Sequence, residues 1–411
     1  MPMTMATGQK CADSRPMEIS AWFALKKRRL KRVIGSNRSS YEDFDEPCLA
    51  KKGALSPYSR TTSRWLEYGG SDCPLKPDVV FEGGNVHVDS AHRDDDLQPV
   101  SLNHEFLTSS PFKGSNATSA ATAGVAHLAA QIHATFPEAW PETVRGLLLG
   151  SGRWNQEMLR DIDLKKKSSV TQLVRTYGFG EPDLERATSC KRSRATFYFE
   201  EEIQPFKKEA GSGVVTNEML FFPIPVPKEG LEELGSAKIR LRITLSYFIE
   251  PNPGRRGLAK SKFRYANCGL RFDLKTEIES IDTFVANRSK KILEKLDRKK
   301  GQRGNPAKGW VIGSNNQDRG SVHHDIWEGP AASLASRDAI VVYPVNGWWK
   351  VRRQLGRWND KQRFSMVVTL ETDDESIDLC SAVEQEVKNL SIPQRITEIK
   401  QMFETTIEVE I

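Results

Sequence analysis

Ser119 sits in the run Ala117-Thr118-Ser119-Ala120-Ala121-Thr122-Ala123, where a hydroxyl is surrounded by the smallest side chains. If that run opens a helix, the first-turn N–H groups and the positive end of the helix dipole can stabilise an oxyanion formed by attack of the hydroxyl. The small neighbours would let a peptide approach it. The same composition also describes a plain amino cap, because Ser and Thr are preferred where helices begin. On the heptad alone both readings stand.

The element that must carry Ser119 is legible. Ala121, Val125, Leu128, Ala129 and Ile132 recur at spacings of three or four, which predicts a helix to about Ala134. Its many small residues predict close packing on all sides. Pro137 ends it, and Pro141-Glu142 opens a second helix, with Pro and an acid at favoured first-turn positions. Upstream, Pro77-Asp78-Val79-Val80-Phe81 reads as a short buried strand ended by Gly83-Gly84. Residues 86–105, with Asp94-Asp95-Asp96, suit a surface loop. Beyond about residue 190 the pattern becomes β. Ile239, Leu241, Ile243 and Leu245 alternate with Arg240, Arg242 and Thr244, predicting a half-buried strand. Residues 339–343 and 364–370 read similarly, which predicts a sandwich. A helix is expected over roughly Glu277 to Lys299.

The 411 residues allow two or three domains, and their net charge of +6 is modest. Part of it lies in Lys26-Lys27-Arg28-Arg29-Leu30-Lys31-Arg32, read as an exposed basic face, so nucleic acid is not an expected partner. No apolar run is long enough for a membrane span, and none reads as a secretory signal. The six cysteines (Cys11, Cys48, Cys73, Cys190, Cys268 and Cys380) are widely scattered, which predicts free thiols and a cytoplasmic location. His87, Asp89, His92 and Asp94 to Asp96 have metal-ligand types without metal-site spacing, and His127 and His133 are six apart. Neither a metal nor a cofactor is expected. His323-His324-Asp325 and Trp348-Trp349 read as structural, the latter as a partly buried sandwich edge.

Five segments together resemble the subtilase family, the subtilisin-like serine peptidases. The heptad around Ser119 is similar to their Gly-Thr-Ser-x-Ala nucleophile signature. Leu75-Lys76-Pro77-Asp78-Val79-Val80-Phe81-Glu82-Gly83-Gly84 is similar to their Lys-Pro-Asp-Val-x-Ala-Pro-Gly strand and turn. Gly53 to Arg60, Trp140 to Leu148 and Tyr177 to Ala187 resemble, in order, an upstream strand, the helix after the nucleophile and the closing segment.

The resemblance implies a serine endopeptidase acting on peptides or proteins, with Ser119 as nucleophile. It implies an α/β fold: part of a subtilisin-like parallel-sheet domain over residues 53–190, then a β-sandwich domain over 191–395. Residues 1–52 are expected to be an atypical disordered segment, and 396–411 a tail.

Two features depart from the family. Ala117 replaces the usual Gly, which is tolerable where the backbone does not need positive φ. The family order is Asp, His, Ser, yet only 118 residues precede Ser119, and His87, His92 and His104 follow the Lys-Pro-Asp-Val segment. Neither Asn37 nor Asn85 is assigned as the oxyanion Asn. The expectation is therefore a truncated peptidase whose partner is a missing amino-terminal half. The alternative is a catalytically inactive β-rich binding module with a subtilase remnant.

Overall fold

The computed structural model describes residues 4–5, 48–59, 61, 75–88, 97–211, 213–253, 266–294, 309–313, 316, 319–389 and 394–396. The basic run at 26–32, the loop at 299–306, Asn37, Cys11, Cys73, His92 and Asp94 to Asp96 lie outside them, as do most of residues 1–52 and all but Ile396 of the tail. The chain divides into two compact units. One comprises residues 7–139 and 147–189, the other 1–6, 140–146 and 190–411.

In the first unit a hairpin, β2 (Val100–Leu102) with β3 (Phe112–Gly114), leads into helix α1 (Ala117–Thr135). Helix α2 (Pro141–Gly150) begins in the second unit and ends in the first. Short helices α3 (Gln156–Leu159), α4 (Lys167–Tyr177) and α5 (Leu184–Thr188) complete the first unit. Asn155 and Asp183 cap α3 and α5, each side chain accepting a backbone N–H three residues on. Val80, Met158 and Leu173 form a small core with Trp154, Leu159, Ile162 and Tyr177 packed around it.

The parallel sheet expected for residues 53–190 is not among the described pairings; every described ladder is antiparallel. Residues 77–81 are extended without a regular ladder. Their backbone groups serve the closing segment instead: Val80 N–H donates to the Gly180 carbonyl at 3.1 Å, and Phe179 N–H to that of Asp78 at 2.8 Å.

The second unit holds two larger sheets. The five-stranded sheet has the order β1 (Thr4–Met5), β4 (Arg194–Ile203), β12 (Gln362–Thr372), β8 (Lys238–Ser246), β10 (Val322–Pro330). The four-stranded sheet runs β13 (Gln394–Ile396), β7 (Met219–Pro223), β11 (Ala339–Val345), β9 (Gly269–Leu274). A hairpin of β5 (Phe206–Glu209) and β6 (Gly213–Thr216) lies beside them in sequence. Side chains from both sheets share one apolar cluster, which includes Phe199, Leu241, Phe364, Phe222, Phe272 and Ile340. Phe199 stacks on Phe222 at 4.6 Å, and Phe222 meets Phe364 edge-on at 6.1 Å. Helices α6 (Lys228–Leu234), α8 (Ala331–Ala335) and α10 (Leu379–Asn389) add Leu231, Leu334 and Leu379 to that cluster. Helix α7 (Ile281–Glu294) contributes Phe284 and Val285 to a separate cluster with Val341 and Tyr343.

The strand predicted at 239–245 is β8, but it is not half-buried. Arg242 and Thr244 are buried too, because each has a cross-strand partner. Arg242 pairs with Glu371 at 2.9 Å, and Thr244 bonds His324 at 2.8 Å. Trp348 and Trp349, in helix α9 (Trp348–Val351), are buried, and both indole N–H groups donate to Glu250.

Candidate active site

The Gly83-Gly84 turn is the hub of the candidate site. The carboxylate of Glu82, itself buried, accepts the Gly84 N–H at 2.8 Å, while the Ser56 hydroxyl donates to the Gly84 carbonyl at 2.6 Å. The adjoining Gly83 carbonyl accepts the N–H of Ala117 at 2.9 Å, which fixes where α1 begins. Further along, Gly124 lies against Phe81: a methyl group at Gly124 would sit 2.5 Å from the ring. Segments around Ser56, Gly83 and Ala117, far apart in sequence, thus meet at one turn.

The closing segment is fastened to the extended residues 77–81. Gly178 and Gly180 both have positive φ, and a Cβ on either would stand 2.3 Å from backbone atoms, of Asp78 and Arg153 respectively. Arg153 and Glu181 exchange backbone hydrogen bonds at 3.0 and 2.9 Å. The Asn155 amide reaches the Gly53 carbonyl at 3.1 Å. Four of the five recognised segments lie wholly in this unit; Trp140 to Leu148 is shared between the two units.

Ser119 occupies the third position of α1 and is exposed. The amino cap is Asn116, so Ser119 does not cap the helix, and no side chain makes a capping bond there. Among the described residues the Ser119 hydroxyl has no hydrogen-bond partner. The first-turn N–H groups of a helix have no intrahelical acceptor, and that of Ala117 is taken by Gly83. Those of Thr118 and Ser119 belong to the same first turn.

Contrary to the packing expected, α1 is not enclosed. Ala121, Leu128 and Ile132 form its buried stripe, while Thr118, Thr122, Ala123, Ala126, His127, Ala130 and His133 are exposed. Small side chains permit close approach on every side, but here only one side receives it.

Ala117 has φ of +65°, so this turn does require the left-handed region that glycine fills freely. A residue with a Cβ pays roughly 1–2 kcal/mol there, whereas glycine adds about 0.4–1 kcal/mol of unfolded-chain entropy. The first term wins. Ala117→Gly is expected to stabilise the turn by about 0.5–1 kcal/mol. Native-state amide exchange of the first turns of α1 should slow correspondingly; faster exchange would contradict the strain.

The other sequence candidates do not join Ser119. His87 is buried and forms an isolated β-bridge with Cys48. His104 is exposed, 3.8 Å from Glu105. Asn85 is fully buried, and its amide both donates to and accepts from the backbone of Ala50, at 2.8 and 3.1 Å. These bonds commit the amide to the Ala50 backbone. Nothing in the sequence singled out Ser56 and Glu82 as supports of the Gly83-Gly84 turn. The nearest signal was an acid directly ahead of Gly-Gly at a strand end.

Residues 10–180 match the model of the subtilase family. The match begins well ahead of Gly53, where the recognised motifs start, and ends within the closing segment. A relative, the uncharacterised protein y4bN of Sinorhizobium fredii (strain NBRC 101917 / NGR234), is 28% identical over 206 residues, covering 48% of this chain and 42% of the relative. The chain thus matches less than half the length of that relative. The subtilase stretch is consistent with a hydrolase of the peptidase kind acting on peptides or proteins. No helix among the described residues is long and apolar enough to cross a membrane, and no group of three or more metal-ligating side chains occurs among them.

Proposed function

We propose that this chain is the nucleophile-bearing part of a subtilisin-like serine endopeptidase, with Ser119 as the attacking residue. One observation carries the reading: the Gly83 carbonyl sets the start of a 19-residue helix and leaves the Ser119 hydroxyl facing solvent at its first turn. Ser119 Oγ attacks the scissile carbonyl. The oxygen that gains charge is met by first-turn N–H groups at the positive end of α1.

A serine hydroxyl without a base is a poor nucleophile near neutral pH. His87 and His104 are placed elsewhere, and the family order puts the Asp and His ahead of the Ser. Ser119 therefore requires a base, its Asp and an oxyanion Asn of the kind that the amino-terminal part of a subtilase domain supplies. The two larger sheets are read as a sandwich-like extension, and the scattered thiols as fitting a reducing cytoplasm.

Hydrolysis of quenched fluorescent peptides tests this. The chain alone should give background turnover, and adding the amino-terminal half of a full-length subtilase should raise it by roughly 10³-fold or more. Ser119→Ala should remove the gain. Brisk hydrolysis by the chain alone would contradict the assignment of the base, with His104 the first residue to replace. No turnover in either arm would favour the inactive binding-module reading.

A further inference from the structure

The cysteines are dispersed in sequence, yet the fold brings two together. Cys190, just ahead of β4, and Cys380, in the first turn of α10, come close enough for each thiol to perturb the other. Backbone contacts hold the pair from both sides. Leu379 N–H donates to the Arg192 carbonyl at 2.7 Å, and the Cys190 sulfur accepts the Thr196 N–H at 3.3 Å. Leu379 and Val383 anchor α10 in the core shared with β4. Neither thiol is in a disulfide and both are half-buried, unlike that of Cys268, which is fully buried.

We propose that Cys190 and Cys380 form a convertible dithiol–disulfide pair which, when oxidised, fastens α10 to the start of β4. The oxidant is a small-molecule disulfide such as oxidised glutathione. The Cys190 thiolate attacks one of its sulfurs, releasing one small thiol and leaving a mixed disulfide. The Cys380 thiolate then attacks the Cys190 sulfur, the protein disulfide forms, and a second small thiol leaves. Two protons and two electrons pass from the protein thiols to the small disulfide.

Cys190 acts first because the Thr196 N–H at its sulfur favours the thiolate. Burial, together with the neighbouring Cys190, pushes the Cys380 thiol up to about 12. Burial also raises Cys190. Both shifts make exchange slow at neutral pH and faster as pH rises, since only the thiolate reacts.

The test is incubation of the full chain in glutathione redox buffers, followed by non-reducing peptide mapping. The expected product is one cross-linked pair, Cys190 with Cys380, two hydrogens lighter than the dithiol. Its rate should rise about tenfold per pH unit between pH 7 and 9. Amide exchange in α10 should slow in the oxidised form and recover on reduction. Cys380→Ser should accumulate the mixed disulfide on Cys190, whereas Cys190→Ser should leave Cys380 almost unmodified. Equal glutathionylation of the two single variants, cross-links dominated by another cysteine, or no cross-link under full oxidation would each overturn the proposal.

Discussion

Gly178→Ala is expected to lower the exchange protection of the Val80 and Phe179 amides by at least roughly 10³-fold, a loss of about 4 kcal/mol. Gly178 follows α4 with φ of +58° and ψ of −138°, a region that side chains with a Cβ rarely enter. That conformation alone costs on the order of 1–3 kcal/mol. The new methyl group would also stand 2.3 Å from the Asp78 carbonyl oxygen, which is backbone and cannot swing away. Relief requires moving residues 77–81 from the closing segment, and both backbone bonds joining them would break. The Trp154 indole bond to the Gly178 carbonyl, 3.0 Å long, would be disturbed with them.

Gly211→Ala is the control. Gly211 also has positive φ, +80°, but nothing lies within 4 Å of its Cβ position. It should cost only about 1–2 kcal/mol, from conformation alone. Equal and small effects of the two substitutions would mean that the closing segment is not clamped to residues 77–81 as described.

The pattern of what could be read from sequence follows interaction range. Strands β8, β11 and β12 were legible because alternation and short apolar runs are local signals, and so was α1. Burial of Arg242 was not, because its partner Glu371 is 129 residues away. The thiol pair was hidden for the same reason: spacing in sequence carries no sign that Cys190 and Cys380 meet. Exposure of the Ser119 face escaped prediction because small side chains permit close packing without requiring it. Asn85 was visible as a candidate amide, but only its two bonds to Ala50 show where that amide is used. At Ala117 the sequence raised the right question, whether the turn needs positive φ. The answer, +65°, depends on a carbonyl at Gly83 that no local pattern reports.

Ser119, on the reading proposed, is a nucleophile awaiting a base. Its most direct measurement is covalent labelling with a fluorophosphonate serine probe, with the labelled residue located by peptide mass mapping. Labelling needs an activated hydroxyl, so the chain alone should react slowly, if at all. Supplying the amino-terminal half of a full-length subtilase should raise the rate by roughly 10³-fold or more, because a base then reaches Ser119. The expected product is a single adduct on the peptide containing Ser119, lost in Ser119→Ala and retained in Ser115→Ala and Ser151→Ala. An adduct that survives Ser119→Ala, or that maps to another serine, would contradict it.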